Sequence, residues 1–552
     1  MKIAVLQCNP TTGAVRTNAK KLVELVKEAA LEGAELCIAP ELALCGPNGM
    51  DFLLRQDFVE ACQSALEFLA EELGSAQNLP ALLLGAPLAN PVPHGKQLHN
   101  CAVFIQDGKI SVVSRKVIVP SDNSQNDARY FEAGLFSGVL QYKGWRFIVT
   151  VGEDIENSAK PSGQGHDLDP VAEVMQSTGG DVVINLAAAP FTLECPLAKE
   201  TALAGLARQH HVPVIFANLC GGFDAQVMYG GSFVAGIDAK IIKRAPYFAE
   251  DIFFIDLGDF SNSPDLELSA PLPEALLWDA MVLGVQDYGR KCGFTRAVLG
   301  VSGGIDSALV LALAAQAFGP EHVTGVLMPS PYSSQGSIDD SLLLAKKLGV
   351  QTVTLPIAPA MECFKETLGT ALGNIQGLTE ENLQARIRGV LLMAYAGEKK
   401  AMVLNASNKS EVACGYSTLY GDSVGALCPI ADIYKLQVYD ICRWLNTLHG
   451  EIIPSSIIAK EPSAELAPGQ RDTDSLPPYE LLDGILKSRI EQGYGIDEIV
   501  AEGYSRDLVM KIVPMIQRAR FKRQQAATVL QMSKFPLAEV WRTPIACTME
   551  VD

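Results

Sequence analysis

The chain has 552 residues, enough at about 150 residues per domain for two to four domains with large cores. Hydrophobic residues make up 48% and charged residues 19%, and 47 Gly and 31 Pro are too few for a collagenous or low-complexity chain. The formal net charge of −19 repels nucleic-acid phosphates and anionic membranes, so neither is an expected partner. An anionic ligand has to be met by a local positive site.

The first residues, KIAVLQCNP, form an alternating apolar strand rather than a basic-then-apolar leader. No run reaches the roughly 18 apolar residues of a membrane span. The 13 cysteines are odd in number, scattered and without a CxxC pair, which predicts a reduced, cytoplasmic chain with neither a disulfide framework nor a zinc site.

Residues 1–258 alternate short apolar strands with helical stretches. Strands are predicted at Ile3–Gln7, Leu36–Ala39, Ala81–Ala86, Ala102–Gln106, Phe147–Val151, Val182–Leu186 and Val214–Leu219. Helices are predicted at Asn18–Glu32 and Gln56–Leu73. The polar segment 261–273 carries three prolines and predicts a linker, so the expected division is 1–258, a linker 259–273, and 274–552.

Beyond Glu274 a helix leads to the strand Ala297–Val301, a Gly turn, the helix Ser307–Phe318 and the strand Val323–Met328. The helix Ser337–Leu348, the strand Gln351–Pro356, a long helix near Glu380–Gly397 and the strand Ala401–Asn405 follow. This alternation predicts an α/β domain with a mostly parallel, doubly wound sheet.

The sharpest motif is Ser302-Gly303-Gly304-Ile305-Asp306-Ser307, which follows a strand ending at Gly300 and opens a helix. Two glycines let the backbone approach a ligand, and the helix N-terminus offers unpaired N–H groups and a positive dipole end. A Walker A loop would end in Gly-Lys-Ser/Thr, and that lysine is missing, so this is another kind of phosphate loop. Gly300 to Gly304 also fits G-x-S-x-G, the nucleophile elbow of α/β-hydrolases. Those enzymes need a downstream acid and then a histidine; only His322 and His449 follow, and there is no HGGG-type oxyanion loop.

The loop resembles the pyrophosphate loop of the N-type ATP pyrophosphatases. Together with the segments Met328–Ser334, Glu381–Gly389, Asn405–Glu411, Gly415–Asp422 and Asp472–Tyr479, it resembles the NAD synthetase family over about 290–525. The resemblance implies ATP as co-substrate, Mg²⁺ held by Asp306 and Glu411, and ATP contacts from the loop, Ala406 and Lys435. It implies deamido-NAD contacts from Asn382, Arg386, Arg388 and Lys522. Two carboxylates beside a phosphate site suit Mg²⁺. Where the family often has Gly-Thr this chain has Asn405-Ala406, so a hydroxyl near ATP is absent or supplied elsewhere.

Residues 1–258 resemble the nitrilase superfamily, as in the glutaminase domain of glutamine-dependent NAD synthetases, which implies an αββα sandwich. Ala39-Pro-Glu-Leu-Ala43 carries the family glutamate at Glu41, and Ser114-Arg-Lys-Val117 its lysine at Lys116. Where the family has Ile-Cys-Glu-Asp, this chain has Val151-Gly152-Glu153-Asp154, so Gly152 stands at the nucleophile position. The family's Ser-Ala-Ser-Pro-Tyr is here Ala187-Ala-Ala-Pro-Phe191, leading to Glu194-Cys195, and Asp122 takes the place of a tyrosine. Glutamine hydrolysis in that family needs a thiolate to form an acyl-enzyme.

The expected function is AMP-forming amidation of deamido-NAD, with ammonia as nitrogen donor because the glutaminase site is degenerate. One alternative is conventional glutamine-dependent synthesis with Cys45, Cys195 or Cys220 as an unrecognised nucleophile. Another is a nucleotide-binding scaffold. The resemblance implies a homo-oligomer, and the ammonia comes from solution or from a partner amidotransferase.

Overall fold

In the computed structural model the chain divides into two units, residues 1–223 with 227–270, and residues 224–226 with 271–552. The structure describes all residues except 76–77, 93, 122–125, 157–167, 259–270, 538–540 and 547–552. Most of the expected linker, and Asp122, lie outside the described residues.

The first unit is built on two six-stranded sheets. Its strands are β1 (Lys2–Gln7), β2 (Leu36–Ile38), β3 (Ala81–Ala89), β4 (Leu98–Gln106), β5 (Lys109–Arg115), β6 (Gly138–Tyr142) and β7 (Trp145–Val151). They continue as β8 (Val182–Ala187), β9 (Val214–Asn218), β10 (Cys220–Phe223), β11 (Gln226–Tyr229), β12 (Phe233–Ala235), β13 (Ile241–Arg244) and β14 (Asp251–Asp256). The sheet orders are β14-β1-β2-β3-β4-β5 and β13-β12-β9-β8-β7-β6. Parallel pairs occupy the sheet centres, β1–β2–β3 and β7–β8–β9, with antiparallel strands outside them.

Period-two alternation explains the layering. Ile3 and Val5 of β1 face a core shared with Phe147 and Val149 of β7 and Ile184 of β8, which is the sheet-to-sheet interior. Ala4 and Leu6 point the other way, into a core with Leu22 and Val26 of α1 (Val15–Leu31) and Leu66 and Leu69 of α2 (Gln56–Ser75). The short α3 (Asp127–Tyr130), α4 (Pro170–Ser177) and α5 (Cys195–His210) complete this unit. The αββα expectation holds.

The second unit opens with α6 (Pro273–Lys291) and has a parallel four-stranded sheet of order β17-β16-β15-β18. Its strands are β15 (Ala297–Gly300), β16 (Val323–Leu327), β17 (Gln351–Thr354) and β18 (Met402–Val403). The helix after β15, α7 (Ile305–Phe318), is buried along most of its length, which is why its sequence is apolar nearly all round. α8 (Gln335–Leu348), α9 (Ala358–Leu372) and α10 (Leu378–Lys399) follow. Next come α11 (Lys409–Cys414), α12 (Lys435–His449), α13 (Ser455–Ala459), α14 (Tyr479–Ile490), α15 (Ile496–Ala501), α16 (Arg506–Arg518) and α17 (Arg520–Arg523). A small parallel pair joins β19 (Leu427–Cys428) to β20 (Thr528–Val529). Leu482, Ile485, Ile499, Val509 and Ile512 form a second, all-helical core. Among the described residues no helix is long and apolar enough to cross a membrane.

Candidate functional site

Glycines place the phosphate loop. Gly303 has φ +76, and a Cβ there would lie 2.4 Å from the Ser337 carbonyl oxygen, so only glycine fits between the loop and α8. Gly304 caps α7, and its N–H donates to Ser302 Oγ at 3.3 Å. Ser307 Oγ donates to the Gly304 carbonyl at 3.0 Å and lies 3.2 Å from Ser302 Oγ. The loop is thus held open by its own hydroxyls at the positive end of a buried helix.

A cavity of about 320 Å³ opens on this loop. Gly300, Ser302, Gly303, Gly304, Ile305, Asp306 and Ser307 line it, as do Arg388, Ala406, Glu411 and Lys435. Ser407, one residue after Ala406, also lines the cavity and carries a hydroxyl.

Lys435 Nζ bridges Asp306 Oδ2 at 2.5 Å and Glu411 Oε1 at 3.3 Å. Asn408 ties the same two residues: its Nδ2 donates to Asp306 Oδ1 at 2.9 Å and its Oδ1 accepts from the Glu411 N–H at 3.0 Å. Burial, with Asp306 adding to it against Lys435, pushes the Glu411 carboxyl up to about 8. The two carboxyl groups are partly buried, with one ammonium between them. Hard oxygen donors beside a phosphate loop fit Mg²⁺, which binds through one or two carboxylates plus substrate phosphates. Asp472, which accepts from Tyr479 Oη at 2.8 Å, lines the same cavity.

Asn382, Arg386 and Lys522 do not line this cavity; they gather on the segment 415–422 instead. Thr418 Oγ1 donates to Asn382 Oδ1 at 2.7 Å, Arg386 Nε to the Leu419 carbonyl at 3.2 Å, and Lys522 Nζ to the Gly415 and Ser417 carbonyls at 2.7 and 2.6 Å. Burial, with Arg386 adding to it, lowers the Lys522 ammonium. Arg388 donates from Nε to the Met328 carbonyl at 3.0 Å. Sequence reasoning missed Lys460 and Asn408. Lys460 lies in no phosphate-binding pattern, whereas Asn408 stands inside a quoted segment as an N-cap three residues before Glu411, a readable cue.

In the first unit, Glu41, Lys116 and Gly152 come together. Asp154 accepts from the backbone N–H groups of Val117, Ile118 and Val151 at 2.8, 2.7 and 3.3 Å, clamping the lysine segment to the end of β7. Lys116 is 1% exposed and pairs with Glu41 at 2.9 Å, Asp127 at 2.7 Å and Glu153 at 2.6 Å. Burial alone would lower its pKa; the Asp127, Glu153 and Glu41 carboxylates hold it well above the ordinary range. Glu41 also accepts from Asn100 Nδ2 at 2.7 Å and the Ala188 N–H at 3.0 Å. Burial outweighs Lys116 and pushes the Glu41 carboxyl up to about 7.

Gly152 has φ +55, and a Cβ there would lie 2.7 Å from Lys116 Nζ and 2.9 Å from Glu41 Oε2. Of the thiols named as substitutes, Cys45 and Cys195 are poor thiolates. A hydrogen bond that the Cys45 thiol donates to Cys62, together with burial, holds Cys45 well above the ordinary thiol range, and burial raises Cys195. Cys220 is buried.

Comparison with known proteins covers both halves. The family model for NAD synthase matches residues 277–526, and that for carbon-nitrogen hydrolase matches 2–259. The glutamine-dependent NAD(+) synthetase of Synechocystis sp. is 43% identical over 99% of this chain and 98% of its own length. That of Thermotoga maritima is 36% identical over 99% and 98%. The structure of the glutamine-dependent NAD+ synthetase from Acinetobacter baumannii with ADP matches with TM-score 0.76 at 31% identity, covering 98% of this chain and 99% of that one. The relatives' names fit the glutamine-dependent alternative better than the ammonia-dependent expectation. On this full-length similarity, the chain belongs to the two-domain NAD synthetases, AMP-forming carbon–nitrogen ligases with a nitrilase-like unit ahead of the synthetase unit.

Proposed function

We propose that the chain amidates deamido-NAD with ATP and free ammonia, and that its nitrilase-like unit no longer hydrolyses glutamine. The observation that carries this reading is Gly152. Its missing side chain would point directly at Glu41 and Lys116, the general-base and stabilising positions of the resembled family, and glycine has nothing there to attack with.

In the synthetase unit the loop N–H groups and the α7 N-terminus receive the ATP phosphates. Asp306 and Glu411 would hold Mg²⁺ there, which supplies charge neutralisation on the phosphates when bound. The nicotinate carboxylate attacks the α-phosphorus and pyrophosphate leaves. Ammonia then attacks the adenylylated carbonyl and AMP departs. Lys435, paired with Asp306 and Glu411, keeps both carboxylates aimed at the phosphate site. Asn382, Arg386, Arg388 and Lys522 take the dinucleotide.

A second reading, glutamine-dependent synthesis, is favoured by the relatives' names. It requires a nucleophile other than residue 152, and Cys195, at the start of α5, is the most exposed of the three named thiols.

NAD formation with ammonium or glutamine as sole nitrogen donor separates the two. Ammonium is expected to support turnover and glutamine to support little or none. Robust glutamine-dependent synthesis with free ammonia scavenged overturns the proposal, and alkylation with peptide mapping then locates the thiol.

A further inference from the structure

The phosphate loop lacks the lysine that a Walker A loop carries, and Lys435 is engaged by two carboxylates. The cavity holds one further lysine, Lys460. Its Nζ contacts Ser337 Oγ in the first turn of α8. The Ser337 carbonyl is the group against which Gly303 packs, so Lys460 lies where the N-terminal turns of α7 and α8 meet. Both helix ends carry partial positive charge, and an ammonium there is repelled by them. Its compensation is loose: Asp340 and Glu465 stand at 3.9 Å each, and Glu465 is already shared by the hydroxyls of Ser334 and Ser337 at 2.8 and 2.7 Å. Lys460 keeps 29% of its side chain exposed. Two helix N-termini and a loosely paired, partly exposed ammonium thus converge on one wall of the cavity.

We propose that Lys460 binds the β,γ-diphosphate portion of ATP, exchanging its hydroxyl partner for phosphate oxygens and serving as the lysine the loop lacks. The inference rests on the ATP-dependent reading of this cavity. Lys460 binds the departing pyrophosphate both in the ground state and as charge builds on it. Lys435, held by the carboxylates, stays with the α-phosphate side.

The test is calorimetric binding of ATP and of AMP, each with Mg²⁺, to the full-length chain and to Lys460→Met and Lys460→Arg. A charge-assisted phosphate contact predicts roughly ten- to hundredfold weaker ATP binding in Lys460→Met, AMP binding unchanged, and partial recovery in Lys460→Arg. The KM for ATP rises in parallel in steady-state assays. Equal weakening of ATP and AMP in Lys460→Met means a structural role and overturns the assignment, as does ATP binding at wild-type strength. Failure of the unmodified chain to bind ATP overturns the underlying reading of the cavity instead.

Discussion

The ammonium of Lys116 stands 2.7 Å from the point a Cβ on residue 152 would occupy. The space beside Glu41 is therefore filled by the lysine, and the lysine is fastened there by three carboxylates.

Gly152→Ala and Gly152→Cys are expected to destabilise the first unit by about 1–3 kcal/mol, because each forces Lys116 to shift and places a side chain at φ +55. Thermal unfolding measures the loss. Gly152→Cys alone is expected to bring little glutaminase activity, since a thiol without oriented neighbours lacks most of its catalytic advantage.

Three carboxyl groups share one ammonium in this cluster, and burial pushes the Glu41 carboxyl up to about 7, above its ordinary 4.5. A carboxyl raised on folding contributes stability that is complete below the unfolded value and is lost as pH rises through the folded one. The stability of the wild type relative to Glu41→Gln is therefore expected to fall between pH 4.5 and about 7. Denaturant midpoints of both proteins across that window test this; a flat difference would contradict it.

Asp306→Ala and Glu411→Ala are expected to lower turnover at least roughly a hundredfold, the scale of losing one preorganised electrostatic group. The fold should persist, because each variant leaves Lys435 one carboxylate partner. A wild-type rate across a magnesium titration would remove the metal role from that residue.

Asn408→Ala removes the N-cap of α11 and the hydrogen bond that orients Asp306. About 1 kcal/mol of stability is expected to go with the cap. The magnesium concentration for half-maximal turnover is expected to rise roughly tenfold or more, as for other outer-sphere groups.

Lys409 and Asp432 form a fully buried pair at 2.9 Å. Asp432 also accepts from the Met532 and Ser533 N–H groups at 2.8 and 2.7 Å. Asp432→Asn leaves the buried Lys409 ammonium with only the more distant, partly exposed Glu491 at 3.4 Å and is expected to cost about 3 kcal/mol. Proteolysis should then open the chain first around residues 528–537.

What could be read in the sequence was local. The SGGIDS loop announces itself because two glycines, capping hydroxyls and a helix start fall within six residues, and the cavity forms on it. The αββα layers followed from the resemblance; Ile3–Leu6 is apolar on both faces, and only the structure divides it between two cores. Asp127 and Glu153 joining Glu41 around Lys116 was not legible, because the cluster is assembled from four separate segments. Lys460 escaped for the same reason: nothing in its own neighbourhood says that α8 will carry Ser337 to it. Asn382, Arg386 and Lys522 were expected to serve one ligand, and they do converge, on the segment 415–422 rather than on the main cavity. The α/β-hydrolase and scaffold alternatives fall with membership of the ligase family.

The parallel pair of β19 and β20 carries a consequence for biosynthesis. Leu427 aligns with Thr528, so the partner of β19 emerges from the ribosome roughly a hundred residues after it. During that interval Asp432 and Lys409 have each other but not the backbone donors at 532 and 533. The wall of the nucleotide cavity that includes Asn405 and Ser407 borders this seam through the smaller cavity at Cys428 and Val529. A nascent synthetase unit is therefore expected to bind nucleotide poorly until residues 528–533 have emerged, which makes ATP a ligand of the unit with its β19–β20 seam paired rather than an aid to that pairing on the ribosome.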